Sequence, residues 1–114
     1  MGQPNILAVL ARVYVDDLDA AVPLYQQLTG AEPSRFDYQT MRLARVGQFL
    51  LVQGADDSIR EHRATLAVRD LDQVVAAVTS AGGTVLDGPA PGPNGLRAVI
   101  RHHDGNIYEY VQVG

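Results

Sequence analysis

The chain contains no cysteine, which removes disulfides, thiolate metal sites and thiol nucleophiles from consideration. It also lacks an apolar run able to span a bilayer, the longest near its start covering only residues 6–11. That stretch has neither the charged leader nor the cleavage pattern of a secretory signal, so a cytoplasmic location is the default expectation. Basic charge is in deficit: 9 Lys and Arg against 13 Asp and Glu leave a net charge of −4. A nucleic-acid footprint has the opposite sign, so neither nucleic acid nor a membrane is an expected partner. Phosphate loop, dinucleotide fingerprint, serine elbow and zinc-protease helix are all missing. What remains is 114 residues, 46% hydrophobic and 19% charged. That composition suits a folded protein with room for one domain, or for two half-sized units sharing a core.

The chain states one phrase twice. Val13-Tyr14-Val15-Asp16-Asp17-Leu18-Asp19 is followed later by Leu66-Ala67-Val68-Arg69-Asp70-Leu71-Asp72. An offset of 53 superposes Asp17 on Asp70, Leu18 on Leu71, Asp19 on Asp72 and Gly30 on Gly83. A constant offset over so many positions implies a duplicated unit. Each copy reads as a strand, an Asp at a helix N-cap, and a helix.

Residues 6–15 predict a strand with Leu10, Arg12 and Tyr14 on one face and Val9, Ala11, Val13 and Val15 on the other. Leu18, Ala21, Val22, Tyr25 and Leu28 recur at helical spacing until Gly30, with Pro23 a local conflict. One or two strands follow over 35–44, then a turn at Gly47 and a continuously apolar strand over 49–53. The polar stretch 54–61 reads as a linker. The second copy repeats the order: a strand over 63–68, a helix over 70–80, a strand from Thr84, then strands over 96–101 and 107–113. The glycine- and proline-rich stretch 88–95 reads as a loop and a mobile rim. The expected architecture is α+β, a βαβββ unit over about 6–54 and a second over about 62–114, within one domain.

These phrases, with Leu24-Tyr25, Leu28-Thr29-Gly30, Ala81-Gly82-Gly83 and the closing Asp104-Gly105-Asn106-Ile107-Tyr108-Glu109, resemble the vicinal oxygen chelate superfamily of glyoxalases, bleomycin-resistance proteins and extradiol dioxygenases. The resemblance implies two βαβββ modules in tandem whose curved mixed sheets enclose a cleft. Many small members build that cleft from two chains, so a homodimer is the expected assembly. It also implies a divalent metal held on the first and last strands of the modules. The corresponding positions here are Leu10, Arg63, Leu51 and Glu109. Only Glu109 can coordinate a cation, so the metal site is expected to be lost and no cofactor is expected. Arg63 and Glu109 would then form an ion pair in its place.

Strand parity extends the cleft face to Arg12, Tyr14, Phe49, Leu51, Arg63, Thr65, Ile107 and Glu109, a mostly apolar lining with a few polar handles. An inward Arg12 needs a partner, which either a ligand carboxylate or carbonyl or an acid of the protein can supply. His62 falls on the parity that points away from the cleft. His102 and His103, being adjacent, point to opposite faces. The four aspartates at the helix starts read as caps rather than acid–base catalysts. The reading is a protein that binds or sequesters a small anionic or carbonyl-bearing molecule without metal. The alternative is a glyoxalase-like lyase, isomerase or dioxygenase acting on a small carbonyl or carboxylate compound, with Glu109 as the base of a cofactor-free isomerase.

Overall fold

The computed structural model describes residues 4–113; Gly114, the expected end of the second unit, lies outside them. Eight strands and two helices follow one another as β1 (Ile6–Val15), α1 (Leu18–Thr29), β2 (Ser34–Tyr38), β3 (Met41–Val46), β4 (Phe49–Gln53), β5 (His62–Val68), α2 (Leu71–Ser80), β6 (Thr84–Gly92), β7 (Gly95–Arg101) and β8 (Ile107–Gln112). All eight strands join one curled sheet in the order β2-β3-β4-β1-β5-β8-β7-β6. The sheet is mixed: β1 runs parallel to β4 and β5 parallel to β8, while β1 and β5 pair antiparallel at the seam between the copies.

The duplicated phrase does the same work in both copies. Asp17 adopts an extended backbone and its carboxylate accepts from the Ala20 N–H at 3.2 Å; Asp70 accepts from the Gln73 N–H at 3.2 Å. Each cap satisfies one of the N–H groups a helix start leaves unpaired. A glutamine on the last strand of the same unit takes another, Gln53 accepting from the Leu18 N–H at 2.8 Å and Gln112 from the Leu71 N–H at 2.9 Å. These two glutamines lie 59 residues apart, not 53. The second unit thus gains 6 residues between its helix and its last strand. The α1 helix ends at Gly30, whose φ of 69° suits a residue without Cβ. Beside α2 the left-handed residue is Gly82 rather than its neighbour Gly83.

Both helices pack on the outside of the curl. Leu18 and Val22 of α1 bury against Ala44, Val46 and Leu51, and Leu71 and Val74 of α2 against Val68, Ala98 and Ile100. A third buried cluster, Leu10, Met41, Leu43, Leu50 and Val52, lies on the concave side. Two expectations change. The linker contains a 3₁₀ turn at Ile59–Glu61. Most of the expected loop 88–95 is strand: Ala90, Pro91 and Gly92 pair with Arg97, Leu96 and Gly95, leaving only Pro93 and Asn94 at the tip. Because β6 is an edge strand, its prolines withhold N–H groups that no neighbour requires. Among the described residues no helix is long and apolar enough to cross a membrane.

Candidate functional site

The curl of the sheet encloses a cavity of about 610 Å³ lined by residues from both copies of the unit. One chain therefore builds a cleft by itself. Its β3–β4 wall is mainly apolar, with Met41, Leu43 and Leu50 nearly inaccessible to solvent and Arg45 exposed at its margin. Facing them is a chain of charged groups centred on Glu109.

Glu109 enters from β8. Its Oε1 accepts from Arg12 Nη2 at 2.9 Å and from the Thr65 hydroxyl at 3.2 Å, and its Oε2 accepts from Arg97 Nε at 2.9 Å. Arg12 Nε donates to the Thr65 oxygen at 2.9 Å, and Arg97 Nη1 reaches Asp87 at 3.1 Å. The side chains of Arg12, Arg97 and Glu109 are only 5%, 9% and 14% exposed, whereas that of Asp87 is 64% exposed. Two buried guanidinium groups thus share one buried carboxylate, and the second acid sits mostly in water. Burial alone would lower the Arg97 pKa, but the carboxylates of Glu109 and Asp87 outweigh it and hold the pKa raised. The Tyr38 ring lies 5.4 Å from the Arg97 guanidinium carbon, a cation–π contact from the opposite wall.

The cluster corrects the expected Arg63–Glu109 pair. Arg63 is exposed and lies outside the cavity, over a shallow depression it shares with Arg60 and Arg101. The cause is an irregularity in the ladder. His62 pairs with Ile107 and Thr65 with Glu109, so three steps on β5 span two on β8. Such a bulge reverses side-chain parity. His62, expected to point away, therefore lines the cavity. The Tyr14 hydroxyl lies 2.7 Å from both the Ile59 and His62 carbonyls, sharing its proton between them and holding the bulge from behind. Burial pushes the Tyr14 pKa up. The His62 pKa falls below the ordinary value of 6.5, through burial first and the Arg12 charge second. Its Nδ1 is buried and has no hydrogen-bond partner among the described residues.

The β4 strand needs a second correction. Leu50, not Leu51, faces the cavity; Leu51 packs under α1, and Phe49 makes an edge-to-face contact with Tyr25 at 5.0 Å on that same side. The ladders explain it: Arg12 lies beside Leu50 as Thr65 lies beside Glu109. A continuously apolar strand gives no parity signal. Of the remaining expected residues, Arg12, Thr65, Ile107 and Glu109 line the cavity, while Tyr14 stands just behind it. Arg97 escaped notice because its strand, too, alternates poorly; the cue present in the sequence was a lone Arg between apolar residues at 96–100. His102 is engaged elsewhere, its Nε2 2.7 Å from the Tyr110 hydroxyl.

The residues present do not fit a divalent metal. The cavity positions on the first and last strands of each unit carry Leu10, His62, Leu50 and Glu109, and both oxygens of Glu109 are occupied by arginine donors. Among the described residues no group of three or more His, Cys, Asp or Glu side chains could hold a metal ion.

Comparison with solved structures finds an uncharacterized protein of Methanosarcina mazei with 32% identity and a TM-score of 0.89, covering 97% of this chain and 95% of that one. A methylmalonyl-CoA epimerase from Mycobacterium tuberculosis matches with 18% identity and a TM-score of 0.72 over 100% of this chain and 93% of that one. A Streptomyces coelicolor methylmalonyl-CoA epimerase in complex with 2-nitronate-propionyl-CoA gives 20% and 0.72 over 96% and 97%. The two epimerases share the fold. Among curated proteins none matches by sequence. The profile of the Glyoxalase/Bleomycin resistance protein/Dioxygenase superfamily covers residues 6–110, and the chain belongs to that superfamily.

Proposed function

We propose that this protein binds and sequesters a small molecule in the cavity of a single chain, without a metal. One observation carries the reading: of the two ligand-type residues at the cavity positions of the first and last strands, His62 and Glu109, the acid has both oxygens held by Arg12 and Arg97. Three donors fill most of the acceptor sites of this carboxylate, and the two guanidinium groups among them repel a cation. The test is metal content. Purified protein incubated with Mn²⁺, Fe²⁺, Ni²⁺ and Zn²⁺ and then desalted should retain none. About one metal per chain, lost in Glu109→Ala, overturns the reading.

A second reading, a glyoxalase-like lyase or isomerase, draws on His62 rather than Glu109. Burial favours the neutral imidazole, which can accept a proton, while the arginines withhold Glu109 from that role. His62→Gln separates the two, abolishing turnover in an enzyme and altering only affinity in a sequestering protein. A homodimer is consistent with apolar residues left open to solvent, Val9 on β1 and Leu24 and Leu28 on α1, which are 55%, 55% and 66% exposed. Sedimentation equilibrium decides it.

A further inference from the structure

The cavity is chemically two-sided, and its two sides descend from equivalent strands. Arg12 beside Leu50 corresponds to Thr65 beside Glu109. One wall, from β2, β3 and β4, presents Phe36, Met41, Leu43 and Leu50; the facing wall presents Arg12 of β1 together with Thr65, Arg97 and Glu109 of the second unit. The polar side does not balance its charges internally. Two buried guanidinium groups face one buried carboxylate, and the partner that would complete the sum, Asp87, is largely in solvent.

Neither guanidinium is used up. Each offers five N–H donors; Arg12 spends two on Thr65 and Glu109, and Arg97 two on Glu109 and Asp87. Among the described residues the one fully buried side-chain nitrogen or oxygen without a partner is His62 Nδ1, so the two arginine nitrogens that make no hydrogen bond, Arg12 Nη1 and Arg97 Nη2, remain accessible. Both arginines line the cavity, and it is there that an oxyanion can meet them. Buried cations that share one buried acid, with the second acid mostly in water, favour a further anionic partner.

Resting on the binding reading above, we propose that the ligand is an amphipathic organic monoanion. Its carboxylate-type head sits against Arg12 and Arg97, and its aliphatic or aromatic body lies along the β2–β4 wall. One head charge suffices because the buried excess is a single positive charge. A volume of about 610 Å³ accommodates a body of several carbons.

The test uses the wild-type protein, so it does not depend on a variant folding. Isothermal titration with butyrate, hexanoate and octanoate should show affinity rising about three- to fourfold per methylene, as apolar burial requires. Octanol should bind at least tenfold more weakly than octanoate, and octylammonium should not compete. Equal binding of octanol and octanoate overturns the anionic head. Affinity independent of chain length overturns the apolar body. Preference for octylammonium, or no binding of any probe, overturns the proposal as a whole. The metal-content measurement decides the parent reading separately. As a check on position, Phe36→Ala should flatten the dependence on chain length while leaving the acid-over-alcohol ratio in place; loss of that ratio alone would put the head on the wrong wall.

Discussion

Glu109→Gln is the most informative single change. It preserves the shape of the side chain, removes its charge, and turns an amide NH₂ toward an arginine donor. The Arg12 and Arg97 side chains, 5% and 9% exposed, lose the acid that each meets at 2.9 Å. Breaking a buried ion pair from one side costs about 3–5 kcal/mol. The cavity admits some water to the cluster, so the lower end, about 3 kcal/mol, is expected. With a urea m-value of about 1.5 kcal/mol/M, the midpoint should fall by roughly 2 M. The companion is the triple change Arg12→Leu, Arg97→Met and Glu109→Leu. It removes the cations with the anion, leaves no unpaired buried charge because Asp87 is mostly in water, and should recover most of the lost midpoint. Asp19→Asn on the surface, where Asp19 meets Arg35 at 2.8 Å and is 62% exposed, should leave the midpoint almost unchanged. The assay is urea unfolding followed by far-ultraviolet circular dichroism. A midpoint shift under about 0.5 M for Glu109→Gln, or a triple variant worse than the single one, refutes the view of the cluster as a buried, interdependent charge set.

Three further outcomes follow from the geometry. Tyr14→Phe removes the hydroxyl shared by the Ile59 and His62 carbonyls and should cost about 1–2 kcal/mol by urea unfolding, with the His62 ring resonances broadened by NMR; sharp, unshifted resonances would mean the bulge holds without it. Because the folded His62 pKa lies below 6.5, the unfolded chain takes up a proton as pH falls through that value while the folded chain resists. His62 therefore lowers stability only on the acid side, and His62→Gln should flatten the urea-midpoint profile between roughly pH 7 and 5; an unaltered profile would exclude the effect. Gly30→Ala adds a methyl with no heavy atom within 4 Å but at a φ of 69°, so the loss should be conformational alone, about 1 kcal/mol by thermal unfolding, and a neutral result would contradict the left-handed cap.

The α+β architecture was legible because the caps are local chemistry. Asp17 and Asp70 announce helix starts through their own carboxylates, and the offset between them reveals the duplication. The site was legible only where parity ran undisturbed. Leu10 and Arg12 could be placed on the cavity face from the alternation of β1. Leu51 could not be told from Leu50, because nothing in Phe49-Leu50-Leu51-Val52 alternates, and only the neighbouring strand fixes the register. Arg63 and His62 exchanged places for a different reason. The extra residue in β5 is a property of its pairing with β8, and no local pattern encodes it. Gln53 and Gln112 show the same limit, since their capping role depends on a helix start far away in the sequence.

The bulge between His62 and Thr65 acts on side chains as a frameshift acts on codons. Upstream of it the strand is read in one phase and downstream in the other, so one backbone step decides whether an imidazole or a guanidinium looks inward. Adding one residue to β8 between Tyr108 and Glu109 would restore the unbroken phase, turn Arg63 toward the arginines already there, and expel His62 to the surface. The inner wall would then gain a third cation with no change to β5 itself. In a sheet of this kind, the chemistry of the binding site can be rewritten by length alone.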